Sequence, residues 1–116
     1  MKEFTVAAEH TTPHVEPVIS LSTAGRRAEL VLSGEIGAAA LPELEQRVDA
    51  PALAGTTEWV VDMSGVTRLD LACAYALLRV ATRTERPPAV TVRGARRAVR
   101  RTLHHAGLTA VATITE

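Results

Sequence analysis

Trp59-Val60-Val61-Asp62-Met63-Ser64-Gly65-Val66-Thr67-Arg68-Leu69-Asp70, running straight into Leu71-Ala72-Cys73-Ala74-Tyr75-Ala76-Leu77-Leu78, decides the fold. Its opening, Glu58 to Asp62, carries a short continuous apolar run, which predicts a strand covered on both faces. Leu71 to Arg83 is the most hydrophobic helix candidate. Residues 71–78 hold no charge, so most of the helix circumference is expected to be buried. Pro87-Pro88 ends it.

Working outward, the same alternation of element types continues. Val18 to Thr23 alternates apolar and polar residues, Ala24-Gly25-Arg26 supplies a turn, and Ala28, Leu30 and Leu32 share a face in the run to Ser33. Two alternating runs around a short glycine loop predict a β-hairpin. Pro42 suits the first turn of a helix, Leu41, Leu44 and Val48 follow at helical spacing, and Pro51 stops it. Past Pro88, Ala89 to Val92 reads as a strand, Ala95 to Ala106 as a helix with Gly107 as its C′ residue, and Leu108 to Thr113 as a last, weaker strand. Ser33-Gly34 and Ser64-Gly65 read as isolated turns. The expected architecture is a single α/β domain over residues 18–116: an N-terminal hairpin, about three helices and a mixed, mainly parallel sheet. Residues 1–17 read as a flexible arm.

Composition narrows the function classes. The chain has 116 residues, enough to bury a core without disulfides or a structural metal. Thirteen Lys and Arg balance thirteen Asp and Glu, so no global charge draws it to nucleic acid or an anionic membrane. No apolar run approaches a membrane-spanning helix, and Met1 to Pro17 has no apolar signal core, so a cytoplasmic protein without membrane insertion is expected. Cys73 is the only cysteine, which excludes an internal disulfide.

Three segments carry a specific resemblance: Val31-Leu32-Ser33-Gly34-Glu35-Ile36 with Leu41 and Leu44, then Trp59 through Asp70, then Ala98-Val99-Arg100-Arg101-Thr102-Leu103-His104-His105-Ala106-Gly107-Leu108. In order and spacing they resemble the STAS family, which contains bacterial anti-sigma factor antagonists, stressosome components and cytoplasmic domains of anion transporters. The resemblance covers roughly residues 18–114 and implies a non-catalytic protein-interaction module. Its partner would be an anti-sigma factor kinase or a larger regulatory or transport assembly. The family's last helix is expected to be absent or very short.

Departures from the family pattern bear on regulation. Regulated members open the second helix with Asp-Ser-(Ser/Thr)-Gly, whose second hydroxyl accepts phosphate. Here the stretch is Asp70-Leu71-Ala72-Cys73, so Ala72 stands at the phosphoacceptor position and has no hydroxyl. Gly37 and Ala40 take the places of an acidic and a hydroxyl residue. The resemblance implies a partner-binding face formed by Gly37, Ala38, Ala39, Asp70, Leu71, Ala72 and Tyr75, bound by shape and apolar contact without a phosphate switch at Ala72. Ser64 and Thr67 are other hydroxyls whose phosphorylation would bear on this expectation.

Other candidate sites are weighed residue by residue. Asp70 fits as the N-cap of the second helix, accepting from the N–H of Ala72 or Cys73. Cys73 could be a nucleophile at a helix start, but its small apolar neighbours favour simple packing, and no base is identifiable beside it. Arg93, Arg96, Arg97, Arg100 and Arg101, with His104 and His105, form the densest charge cluster. They are a solvated helix face or a basic surface for an acidic partner or phosphate-bearing ligand. Nucleic acid is disfavoured because no aromatics interleave with these arginines. His10 and His14 flank Pro13 in the arm, and Glu43 and Glu45 point to different helix faces, so neither pair suggests a metal or acid–base site. No cofactor is expected. A small-ligand sensor, using crevices at strand ends, is the alternative from a different class.

Overall fold

The computed structural model describes residues 16–48, 53–83 and 85–115. The arm up to residue 15, with His10 and His14, lies outside the described residues, as does the helix stop at Pro51. The elements in chain order are β1 (Val18–Ala24), β2 (Arg27–Ile36), α1 (Leu41–Val48), β3 (Glu58–Leu69), α2 (Leu71–Thr82), β4 (Ala89–Arg93), α3 (Arg97–Ala106) and β5 (Ala112–Thr115). The hairpin turns through Gly25 at φ 61°, a conformation that costs glycine nothing.

The five strands of the described residues form one sheet in the order β1-β2-β3-β4-β5. β1 pairs antiparallel with β2, and the remaining pairs are parallel. Each parallel neighbour is reached through one helix. Crossovers of one hand that always step in the same direction place every helix on the same face of the sheet. Accordingly Leu44 and Val48 of α1, Cys73 and Leu77 of α2, and Val99 and Leu103 of α3 join one core cluster with Leu30, Leu32, Val61, Met63, Val90 and Val92.

Among the described residues the sheet is therefore covered on one face, not on both as the run Trp59-Val60-Val61 suggests. β2 shows this by its strict alternation, with Ala28, Leu30, Leu32, Gly34 and Ile36 buried and the residues between them half-buried. Val60 is buried although it lies on the open face and outside the core cluster, because Glu29 and Thr91 flank it in register on the neighbouring strands.

Three local expectations change. Ser33-Gly34 and Ser64-Gly65 are not turns but parts of β2 and β3, at the irregular stretch where the register shifts between Val31 and Ser33 and again between Gly34 and Glu35. Gly34 adopts φ 82° there, the left-handed geometry of a bulge. β3 thus runs on to Leu69, well beyond β4. At the other end, α3 begins at Arg97 rather than Ala95, after Gly94 at φ 77°. Leu108–Ala110 is a 3₁₀ turn, and the last strand starts at Ala112. Leu108 is fully buried, so it serves as a core plug directly after the left-handed Gly107 cap instead of joining the sheet.

Candidate functional site

The overhanging ends of β2 and β3 build the rim on the carboxyl edge of the sheet, where open α/β sheets characteristically bind their ligands. Ile36 ends β2, Gly37 leaves in extended backbone, and Ala38–Ala40 form a 3₁₀ turn into α1. The Ala40 N–H donates to the Gly37 carbonyl at 3.0 Å. Next to it β3 ends at Leu69, and Asp70 caps α2: its Oδ1 accepts from the Ala72 N–H at 2.8 Å, and its carbonyl accepts from the N–H groups of Cys73 and Ala74. The Asp70 N–H donates in turn to the Ile36 carbonyl at 2.8 Å, so the two strand ends are tied together.

Cys73 completes that tie from below. Its Sγ donates to the Gly37 carbonyl at 3.5 Å, and its side chain is fully buried. Burial, with the nearby carboxylates of Asp70 and Glu45, pushes the thiol up to about 11. A thiol held protonated is a poor nucleophile, so the residue packs rather than reacts.

An open groove of about 520 Å³ runs along the rim. Gly37, Ala38, Ala39 and Asp70, four of the residues the sequence singled out, line it. Leu71, Ala72 and Tyr75 are not in its lining. They stand beside it on α2, with Leu71 and Tyr75 one helical turn apart and each 42% exposed. Together these two form an exposed strip of large side chains beside the groove.

Sequence reasoning missed the groove's charged walls. Glu16, Glu35, Glu43 and Arg68 line it as well. Arg68 Nη1 donates to Glu35 Oε2 at 3.2 Å, and Glu43 pairs loosely with Arg47 at 3.9 Å. Glu35 and Arg68 are register partners across β2 and β3, a relationship visible only once the bulged pairing is known.

The basic cluster divides in two. Arg93 does not belong with the α3 arginines. It lies on the open sheet face, where its Nη2 donates to Asp62 Oδ2 at 3.2 Å and to Glu29 Oε2 at 3.3 Å. Asp62 also accepts from the Ser64 N–H and hydroxyl, and these bonds, with Arg93, hold its carboxyl below the usual carboxylate value. Arg96, Arg97 and Arg101 are exposed on α3, and Arg100 is half-buried. Ser64 and Thr67 are both exposed. Among the described residues no group of three His, Cys, Asp or Glu could hold a metal, and no helix is long and apolar enough to cross a membrane.

A family model described as "Mlab, STAS domain" matches residues 19–115. Among curated proteins no sequence matches the chain. Solved structures share the fold. An anti-sigma factor antagonist from Mycobacterium paratuberculosis superposes with TM-score 0.73 at 22% identity, covering 86% of each chain. The S58E form of RsbS from Moorella thermoacetica gives 0.63 at 15% identity, over 84% of this chain and 85% of that one. SLC26A9 gives 0.58 at 15% identity, over 77% of this chain but 18% of its own. Those likenesses concern the fold, whereas the sequence match runs through every strand and helix described above: the chain belongs to the STAS family.

Proposed function

We propose that the chain is a non-catalytic protein-docking module of the anti-sigma factor antagonist kind, acting in transcription regulation in the cytoplasm, whose docking is not switched by phosphate at the start of α2. The observation that carries this is the exposed pair Leu71 and Tyr75 standing next to the alanine-lined groove on the carboxyl edge of the sheet. Tyrosine is among the side chains that dominate protein interfaces, and Leu71 one turn away widens the apolar contact beside it. The half-buried Ala72 between them offers no hydroxyl. A phosphate there would have brought about two negative charges to the contact. The partner that fits is an anti-sigma factor of the kinase type.

The test begins with affinity purification of the partner from the source cell, followed by calorimetry with the pure proteins. Leu71→Asp and Ala72→Glu should each weaken binding at least about 10-fold, the cost of roughly 1.4 kcal/mol at one interface position. Ala72→Ser should bind like the parent. Unchanged binding in both charge variants would remove this rim as the interface. Incubation with partner kinase and ATP should leave no phosphate on Ser64 or Thr67; phosphate there with loss of binding would replace the constitutive reading.

A second reading is a non-switching subunit of a larger regulatory or transport assembly. The matching family description is that of Mlab, and the same fold recurs as a fraction of the much longer SLC26A9 chain. Native mass measurement of the purified complex separates the two. A small-ligand sensor has less support, because the groove is open and its polar side chains are not buried. A thermal-shift screen with nucleotides and acyl ligands addresses it directly.

A further inference from the structure

Beyond the rim, we infer that the outer face of α3 is a second docking surface, and that it takes an acidic polypeptide segment of a protein partner. The observation is a local excess of positive charge in a chain whose net charge is zero. α3 and its cap read Arg96-Arg97-Ala98-Val99-Arg100-Arg101-Thr102-Leu103-His104-His105-Ala106, without one acidic residue. Arg47, Arg68, Arg79 and Arg93 each pair with a carboxylate of this chain. Among the described residues Arg96, Arg97 and Arg101 have no such pair.

The arrangement works against the helix itself. Arg96 occupies the N-cap position with no side-chain cap bond, and the first turn holds no acid. Cations therefore sit at the positive end of the helix dipole, where carboxylates stabilise and arginines do not. An acidic ligand laid along this face would neutralise the guanidinium groups and the first-turn N–H groups together.

Geometry sets the ligand's chemistry. Val99, Leu103 and Ala106 are buried in the core, which turns Arg97, Arg101 and His105 outward at i, i+4 and i+8. Successive members of that row are about 6 Å apart along the axis. Carboxylates one turn apart on a helix, or two residues apart in an extended segment, match that spacing. Guanidinium forks suit carboxylates in pairs. Nucleic acid fits less well: no Phe, Tyr or Trp lies on α3 for base stacking, and the surrounding chain adds no net positive charge.

The experiment uses the full chain, ¹⁵N-labelled, titrated with a synthetic eight-residue Asp/Glu peptide and, separately, with an eight-nucleotide single-stranded DNA. The peptide should shift amides of residues 96–105 and bind at least 10-fold more weakly at 300 mM than at 50 mM salt. Arg97→Glu with Arg101→Glu should lower peptide affinity at least 10-fold. Arg26→Glu with Arg27→Glu, an equal charge change on the hairpin, should leave it within 2-fold. Circular dichroism melting of each variant separates loss of binding from loss of fold. If the parent does not bind the peptide, if DNA binds as tightly, or if the hairpin variant loses as much affinity as the α3 variant, the inference is wrong. The rim variants Leu71→Asp and Ala72→Glu should bind the peptide like the parent, so failure of the rim reading and failure of this one are seen separately.

Discussion

The Asp70 N–H donates to the Ile36 carbonyl at 2.8 Å while the Asp70 carboxylate caps α2, so one residue joins the end of β2 to the start of the rim helix. Only the cap half of this arrangement depends on the side chain. Asp70→Ala should cost about 1 kcal/mol, seen as a drop in Tm of about 4 °C. Asp70→Ser keeps an acceptor at the right distance and should recover most of the loss. A Tm unchanged by Asp70→Ala would mean that the backbone tie alone sets the helix start.

Gly65 illustrates a constraint of a different kind. A Cβ built on it would lie 2.8 Å from Ser33 Cβ on the facing strand, too close for any real contact. Its backbone is not left-handed, so the obstacle is crowding alone. Gly65→Ala should cost about 2 kcal/mol, as overpacking does. Adding Ser33→Gly removes the opposing Cβ and leaves the nearest remaining atom of that residue at 3.5 Å. The double variant should be more stable than Gly65→Ala alone, a coupling of about 1 kcal/mol readable in urea unfolding.

That pair also shows where the sequence stops being legible. The period-2 pattern of Ala28, Leu30 and Leu32, the Asp70 cap and the Gly107 terminus are written in neighbouring residues, and all three are present. Gly34 and Gly65 look like turns because glycine signals a turn locally. Their role in a bulge depends on which strand lies opposite. For the same reason the Glu35–Arg68 wall of the groove was invisible, since 33 positions separate its members. Proximity in sequence groups Arg93 with α3, although strand geometry aims it at Asp62 and Glu29. The covered face of the sheet followed from the order of the strands, which no single run such as Trp59-Val60-Val61 encodes.

Asp62 links that open face to acid stability. The Ser64 N–H and hydroxyl, then the Arg93 guanidinium, stabilise its ionised form, so its folded value lies below the unfolded one of about 3.9. A depressed carboxylate contributes stability above the unfolded value, and that contribution is lost as pH falls through the folded one. Glu29 shares Arg93, which moderates the effect. Asp62→Asn should therefore lower stability at pH 7 by at most about 1 kcal/mol. The gap from the parent should close as pH falls below about 4 in urea titrations. A gap that widens on acidification would assign the stability of this part of β3 to contacts other than this charge.

Cys73 makes the opposite prediction at alkaline pH. Burial and the carboxylates of Asp70 and Glu45 raise its folded value to about 11. A free cysteine titrates near 8.5, so at pH 8.5 the native thiol is ionised roughly 150-fold less than an unfolded one. Alkylation by iodoacetamide at that pH should be at least about 10-fold slower in the native protein than in urea, since only the thiolate attacks. A raised value also means that the thiol's contribution to stability is complete below the unfolded value and is lost as pH rises through the folded one. Stability of the parent should fall between about pH 8.5 and 11 in a way that Cys73→Ala does not share. Rapid native alkylation at pH 8.5 would show that the Gly37 carbonyl and the α2 turn open readily, and with them the seam on which the rim is built.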